Sequence, residues 1–262
     1  LLRGGGGGGD GSARSGTART KSVRAGALLT GPPGTGKSAL AHHVARYASH
    51  LLPTIRLLDA SCTSLVRKEV GGSERAVRAL FEAARSAAPC VLLLDGIDVV
   101  APVRGHDTTT EGTMDRILST FLVEMDGIGD DVGGAASGEG GEGRGGGIVV
   151  IGITHDPTRV DPALLRPGRL ERIVTLTLPD GPARKAVASR EIDRLPVDFG
   201  GAGFFEPKDA TQLAEFVAMG TVGMSAAEVS AVCADAAAAR LRELVREEEE
   251  GAAASPPPPS PK

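Results

Sequence analysis

The sequence contains the run Gly31-Pro32-Pro33-Gly34-Thr35-Gly36-Lys37-Ser38, which matches the phosphate-binding pattern G-x-x-x-x-G-K-[ST]. Glycines let the backbone curl until consecutive N–H groups point at phosphate oxygens, and a following helix adds its positive end. The apolar run 27–30 precedes the loop, and the pattern over 39–48 is typical of a helix. The motif predicts that Lys37 contacts the β- and γ-phosphates of a nucleotide and that Ser38 offers a hydroxyl to Mg²⁺.

Working outward from this loop, short apolar runs alternate with helical patterns. Further strands are predicted at 54–60, 91–95, 148–154 and 173–178, several of them apolar on consecutive positions, as strands buried on both faces are. Apolar positions at helical spacing fall between them, in the sets Val77, Leu80, Phe81, Ala84 and Ile117, Leu118, Phe121, Leu122, Met125. Ser73 is predicted to cap the first of these helices. The alternation predicts an α/β fold, a doubly wound parallel sheet of five strands.

The chain divides into segments of different composition. Eighteen of its 37 glycines lie in 1–24 and 129–147, which predicts a disordered Gly/Arg-rich head and a flexible insertion in a nucleotide-binding subdomain spanning 25–178. The head is also Arg-rich and acid-poor, so an organellar transit remnant is the alternative to a solvated linker. Helical patterns at 213–217 and 226–245 predict a small C-terminal helical subdomain over 179–248. An acidic and proline-rich tail, 249–262, is predicted to be disordered.

Composition excludes several classes of function. The net charge of −4 equals the contribution of the four glutamates at 247–250, so the rest is balanced and lacks the basic signature of nucleic-acid binding. Three cysteines without C-x-x-C spacing argue against a disulfide scaffold and fit a reducing compartment. No apolar run approaches the ~18 residues of a membrane span. We expect an intracellular protein, cytoplasmic or nuclear, with an organelle as the alternative.

A second part of a nucleotide site is expected at the end of the strand 91–95. Asp95 terminates this apolar run, and doubly wound sheets place ligands at the carboxyl ends of their strands. An acid at this place holds Mg²⁺ beside the phosphates in P-loop enzymes. The alternative is an ordinary buried strand followed by a turn aspartate.

Five further stretches make the chain resemble an AAA+ ATPase module of the branch that contains valosin-containing protein and the N-ethylmaleimide-sensitive fusion protein. The first is 70–74 with 75–85, which resembles the pore loop and the helix that follows it, and the second is 115–127, which resembles the helix before the fourth strand. The stretches 150–155 and 161–169 resemble the second region of homology, and 223–229 resembles the start of the lid helices. The resemblance covers 26–243 in order.

The resemblance implies a P-loop NTPase core with a C-terminal lid, ATP and Mg²⁺ as cofactors, and roles for particular residues. The nucleotide would contact Pro33, Gly34, Thr35, Gly36, Lys37, Ser38 and Ala39, and Ala226 and Ala227 would lie near the adenine. Arg166 and Arg169 match the arginine fingers, which act on the nucleotide of a neighbouring subunit and so imply a ring, usually a hexamer. A salt bridge at a helix end is the alternative for these arginines. A small-molecule phosphotransferase would need neither of them.

Three departures from the family pattern bear on activity. The family's catalytic glutamate is replaced by Gly96, and its sensor asparagine by His155. Since a positioned general base contributes ~10²–10⁴-fold, hydrolysis is expected to be weakened while binding is retained. His155 either orients the attacking water or marks a site that no longer turns over. The pore-loop aromatic is replaced by Glu69, which offers no apolar grip on a threaded polypeptide.

Two functions therefore remain open at this stage. One is an ATP-binding module with impaired hydrolysis at a structural or regulatory position of a ring. The other is a working ATPase that couples hydrolysis to protein unfolding or complex disassembly. The sequence names no protein substrate or adaptor for either.

Overall fold

The computed structural model describes residues 26–67, 69, 71–103, 111–130, 147–197 and 207–254. The predicted head, 131–146 of the predicted insertion, and 255–262 of the predicted tail lie outside the described residues. Val70, the first residue of the stretch that resembles a pore loop, and the nearby Lys68 also lie outside them.

The described residues contain one five-stranded parallel sheet, as the sequence predicts. Its strands are β1 (Gly26–Thr30), β2 (Arg56–Ser61), β3 (Cys90–Asp95), β4 (Ile148–Ile153) and β5 (Arg172–Thr175). They are ordered β2-β3-β4-β1-β5, and every neighbouring pair is parallel. Because β1, β3 and β4 are adjacent and parallel, the loops that follow them meet at one edge of the sheet.

The helices are α1 (Lys37–Leu51), α2 (Gly72–Ala87), α3 (Glu111–Asp130), α4 (Gly181–Ile192), α5 (Ala210–Gly220) and α6 (Ala226–Ala254). Buried residues of β3 alternate between two helical layers. Leu92 and Leu94 face α2 and α3, whereas Val91 and Leu93 lie with Ala41 and Ala45 of α1. Phe81 and Phe121 join α2 to α3 edge to face, with ring centroids 5.3 Å apart.

The predicted cap at Ser73 is wrong. The helix α2 begins at Gly72, preceded by Gly71 in the left-handed conformation with φ of 72°. Ser73 is buried inside the first turn, where its Oγ accepts a hydrogen bond from the Arg67 N–H at 2.7 Å and donates to the Arg67 carbonyl at 3.3 Å. Ser73 therefore fixes the preceding loop rather than the end of the helix.

The helices α4, α5 and α6 form a separate cluster around Ala188, Ala214 and Val229. The Arg184 guanidinium is buried there and donates to the carbonyls of Ala218 and Pro179. The helix α6 continues to Ala254, nine residues beyond the predicted end at 245, so the assignment of 249–254 to a disordered tail is wrong. Alanines and glutamates are good helix formers, which sustains this extension.

The three cysteines are free and buried. Burial, with the negative charges of Asp95 and Asp98, raises the pKa of Cys62 to about 12. Burial also raises the pKa of Cys90 and Cys233. Since the thiolate is the reactive form, we expect a thiol reagent at pH 8 to modify none of them rapidly in the folded protein and all three in urea. Rapid modification of one thiol before unfolding would contradict this burial.

Candidate nucleotide-binding site

The loop between β1 and α1 has the backbone that the glycine pattern predicts. Gly31, Gly34 and Gly36 all have positive φ, and Gly36 directly precedes the first turn of α1. At Gly34 a Cβ atom would lie 2.5 Å from the Ser225 Oγ, which is too close for any side chain. The positive φ at this position also disfavours residues other than glycine. The loop ends on the N-terminus of a 15-residue helix, which presents unpaired N–H groups to an anion.

Lys37 is the first residue of α1 and directly follows this loop. Its side chain bends back, so that Nζ donates to the carbonyl oxygens of Gly31 at 2.8 Å and Pro32 at 2.7 Å. The residue is only 4% exposed, and burial lowers its pKa, an effect that the charge of Asp95 opposes. The two carbonyls hold the ammonium beside the loop, where it contributes a positive charge to the anion site.

Ser38 and Asp95 meet across the end of the sheet. The Ser38 Oγ donates to the Asp95 Oδ2 at 3.0 Å, although 57 residues separate them. A hydroxyl and a carboxylate are ligands that suit Mg²⁺, which keeps several waters and takes substrate phosphates as its other ligands. Within the described parts of the chain, no cluster of three or more His, Cys, Asp or Glu side chains offers a metal site made of protein ligands alone.

The start of α6 contacts the loop. The Ala227 N–H donates to the Gly34 carbonyl at 3.0 Å, so Ala226 and Ala227 lie beside the loop. Ser225 and Glu228 cap the helix reciprocally, with Ser225 N–H donating to the Glu228 carboxylate at 2.7 Å, which lowers the pKa of Glu228. This pair was not predicted, although the spacing S-x-x-E is typical of a capping box.

Gly96 follows Asp95 and turns the chain sharply. Its φ is 72° and its ψ 46°, and its N–H donates to the Ile153 carbonyl at 3.1 Å. A Cβ atom there would approach only Val99 Cγ2, at 3.8 Å. The position therefore has room for a side chain but a backbone conformation that disfavours one.

Thr154, which directly precedes His155, connects its strand to Asp98. The buried Thr154 Oγ1 donates to the Asp98 Oδ1 at 3.0 Å, and the other carboxylate oxygen of Asp98 is 3.8 Å from the Arg159 Nη1. Asp98 thus joins the chain after β3 to the chain after β4. His155 is exposed at the carboxyl end of β4.

The two candidate finger arginines differ in their surroundings. Arg169 is held within its own chain, because its Nε and Nη2 donate to both oxygens of Asp126 at 2.8 and 2.7 Å and its Nη1 donates to the Ala163 carbonyl. The Arg166 side chain is exposed, and none of the described residues holds its guanidinium.

This difference predicts unequal effects on stability. Arg169→Ala is expected to lower the free energy of unfolding by about 1–2 kcal/mol, because the charged hydrogen bonds lie at a side chain that is only 15% exposed. Arg166→Ala is expected to stay within about 0.5 kcal/mol of the parent protein. Urea denaturation of the two variants measures both values. Equal midpoints for Arg169→Ala and the parent protein would mean that the ion pair contributes nothing.

A glycine-rich loop with a buried lysine, and a serine–aspartate pair at the carboxyl edge of a parallel sheet, define a P-loop nucleotide-binding protein. Residues 27–178 match the model of the ATPase family associated with various cellular activities (AAA). The chain belongs to this family, which confirms the resemblance and implies that it binds ATP.

Similar proteins include the peroxisomal ATPase PEX6 of Neurospora crassa, 39% identical over 70% of this chain and 13% of that protein. The cell division cycle protein 48 homolog of Archaeoglobus fulgidus is 36% identical over 84% of this chain and 26% of its own length. The ATP-dependent zinc metalloprotease FtsH 3 of Sorangium cellulosum is 37% identical over 83% of this chain and 32% of its own length. The chain thus spans a third or less of these relatives. Among the residues that the structure describes, no helix is both long and apolar enough to cross a membrane.

Proposed function

We propose that this chain is an ATP-binding AAA module that hydrolyses ATP poorly and occupies a position in a ring of identical or related AAA subunits. The observation that carries the proposal is the contrast between Asp95 and Gly96. Ser38 and Asp95, the proposed metal ligands, are hydrogen-bonded to each other, whereas the next position has no side chain that could activate water.

The binding half of the proposal rests on the chain's own groups. The loop N–H groups and the Lys37 ammonium would hold the phosphates, and Ser38 and Asp95 would hold Mg²⁺. The metal, when bound, would neutralise charge on the phosphates. The start of α6, which is hydrogen-bonded to Gly34, would lie beside the adenine of the bound nucleotide.

The proposal of weakened hydrolysis is based on the contacts that the two nearby carboxylates, Asp95 and Asp98, already make. Asp95 accepts the Ser38 hydroxyl, and Asp98 accepts the Thr154 hydroxyl while facing Arg159. Neither carboxylate replaces the missing glutamate while it is held in this way. The rate would fall by about the 10²–10⁴-fold that a general base contributes.

The proposal of a ring is based on the exposed side chain of Arg166. Its exposed guanidinium is available to a nucleotide on a neighbouring subunit, where an arginine is worth ~10³–10⁵ in rate. Relatives of this chain include a peroxisomal ATPase and a cell division cycle protein, which are consistent with a protein-remodelling assembly.

The test compares ATP binding and phosphate release of the purified chain with those of Asp95→Asn, which removes the metal-binding carboxylate. We expect the parent chain to bind a fluorescent ATP analogue and to release phosphate no faster than the variant. Phosphate release well above that of Asp95→Asn would overturn the proposal of impaired hydrolysis. It would favour the second function, an active remodelling ATPase.

That second function has one observation in its favour, the exposed imidazole of His155 at the edge of the sheet that carries Asp95. His155→Ala separates the two functions. A fall in phosphate release would assign the histidine a role in turnover, and an unchanged rate would leave it without one.

A further inference from the structure

The loop that precedes α2 is tied to the first turn of that helix. The Gly72 N–H donates to the Glu69 carbonyl at 3.0 Å, and the Arg67 N–H donates to the Ser73 Oγ at 2.7 Å. A Cβ atom at Gly72 would lie only 3.0 Å from the Arg67 Cβ, so this part of the loop packs closely on the start of the helix. The backbone at Arg67 and Glu69 therefore keeps a defined position on the surface.

Three exposed arginines lie at this loop and at the start of α2. Arg67 lies against Gly72, and the Arg75 Nε donates to the Gly71 carbonyl at 3.1 Å, so both side chains lie beside the same two glycines. Arg78 follows Arg75 by three residues, which places it on the same side of α2. Among the residues that the structure describes, no carboxylate forms an ion pair with these three guanidinium groups.

The carboxylates of this region leave the surface positive. Glu74 is only 15% exposed and lies 3.6 Å from the Arg116 Nε, so its charge is directed away from the three arginines. Glu69 is exposed at the loop itself, and Glu82 is exposed one turn of α2 beyond Arg78. Within the described part of the loop and the first turn and a half of the helix, three guanidinium groups thus accompany one free carboxylate.

We propose that this surface binds acidic segments of other proteins, through ion pairs with Arg67, Arg75 and Arg78. A guanidinium carries its N–H donors in a rigid plane and forms paired hydrogen bonds with a carboxylate. The fixed loop backbone limits the freedom that Arg67 loses on binding, and the helix does the same for the other two arginines. Charge complementarity selects segments rich in aspartate and glutamate.

The surroundings of the arginines favour a protein segment over a nucleic acid. Single-stranded nucleic acids are held by exposed aromatic side chains on which bases stack, together with a basic groove that follows the backbone. The aromatic residue of α2, Phe81, is buried. Glu82 also ends the basic surface one turn after Arg78, so the surface suits a few carboxylates rather than a run of phosphates.

The inference deepens the proposed function, because it names a class of protein segment that the chain contacts. It rests on that function in one respect only: copies assembled in a ring would present several such surfaces, and weak contacts would reinforce one another. For a single chain we expect a dissociation constant of about 0.1–1 mM, because a few exposed ion pairs provide little affinity.

The test measures binding of a fluorescein-labelled peptide of alternating glutamate and glycine to the full chain, by fluorescence anisotropy. Arg67→Glu and Arg75→Glu each reverse one charge of the surface, and glutamate in the first turns of α2 suits the helix dipole. Arg242→Glu is the matched control, because the Arg242 Nε also donates to a carbonyl four residues before it at 3.1 Å, on an exposed part of α6. Thermal melting confirms that each variant is folded.

We expect the parent chain and Arg242→Glu to bind the acidic peptide alike, and Arg67→Glu and Arg75→Glu to bind it at least about fivefold more weakly. High salt should weaken binding to the parent chain, and peptides of alternating glutamine and glycine or lysine and glycine should not bind. No binding by the parent chain, binding by both loop variants equal to that of the parent, or tighter binding of oligouridylate than of the acidic peptide would each overturn the inference.

Titration of the same variants with a fluorescent ATP analogue reports separately on the proposed function. Arg67 and Arg75 lie outside the residues proposed to bind the nucleotide, so both variants should keep the affinity of the parent chain for the analogue. Loss of peptide binding with unchanged ATP binding assigns the effect to the arginine surface alone.

Discussion

Lys37→Ala is expected to lower the affinity for ATP by at least about 100-fold. The ammonium is fixed by the Gly31 and Pro32 carbonyls at the centre of the loop, and the substitution removes the charge while leaving the loop N–H groups in place. When ATP is bound, the ammonium would donate charged hydrogen bonds to phosphate oxygens, which are worth about 1.5–3 kcal/mol each, and the loss of two of them accounts for a change of this size. Titration with a fluorescent ATP analogue measures the loss.

The matched control for this prediction is Lys185→Ala. Lys185 lies on α4, where its Nζ is 3.4 Å from Glu215, outside the loop. The control should bind the analogue as the parent chain does and unfold at a similar temperature. Unchanged binding by Lys37→Ala would refute the assignment of residues 31–38 as the phosphate site.

The parallel sheet was predictable from sequence because its strands are buried on both faces. A run such as Cys90–Asp95 is apolar at nearly every position, which few other structures tolerate, and the phosphate motif fixed the place of β1 and α1. The ends of two strands differ from the prediction. β2 begins at Arg56 rather than at 54, and β5 ends at Thr175 rather than at 178, because pairing with a neighbouring strand sets these limits.

The side-chain partners were the least predictable part of the site. The contact of Ser38 with Asp95 follows from two known motifs meeting at one edge of the sheet. The pairing of Arg169 with Asp126 crosses 43 residues and depends on how α3 packs, which no local pattern encodes. The incorrect prediction of a helix cap at Ser73 has a similar cause, since no local sequence pattern indicates that this serine is buried.

Gly96→Glu is expected to raise phosphate release by up to the 10²–10⁴-fold that a general base contributes, in preparations where the chain assembles with subunits that supply the arginine. The space for the side chain exists, because only Val99 approaches the Cβ position. The backbone opposes the change, since a non-glycine residue in the left-handed region costs about 1–2 kcal/mol. We therefore expect the melting temperature to fall by about 2–8 °C while the rate rises.

Gly96→Gln separates these two effects. Glutamine imposes the same strain at φ 72° and fills the same space, but its amide is not a base. Phosphate release should rise in the Glu variant alone, whereas both variants should melt at the same lowered temperature. If the two variants release phosphate equally slowly in assembled rings, the missing carboxylate is not what limits hydrolysis. The geometry around His155 and Asp98 would then become the limiting feature, because these residues lie at the same edge of the sheet.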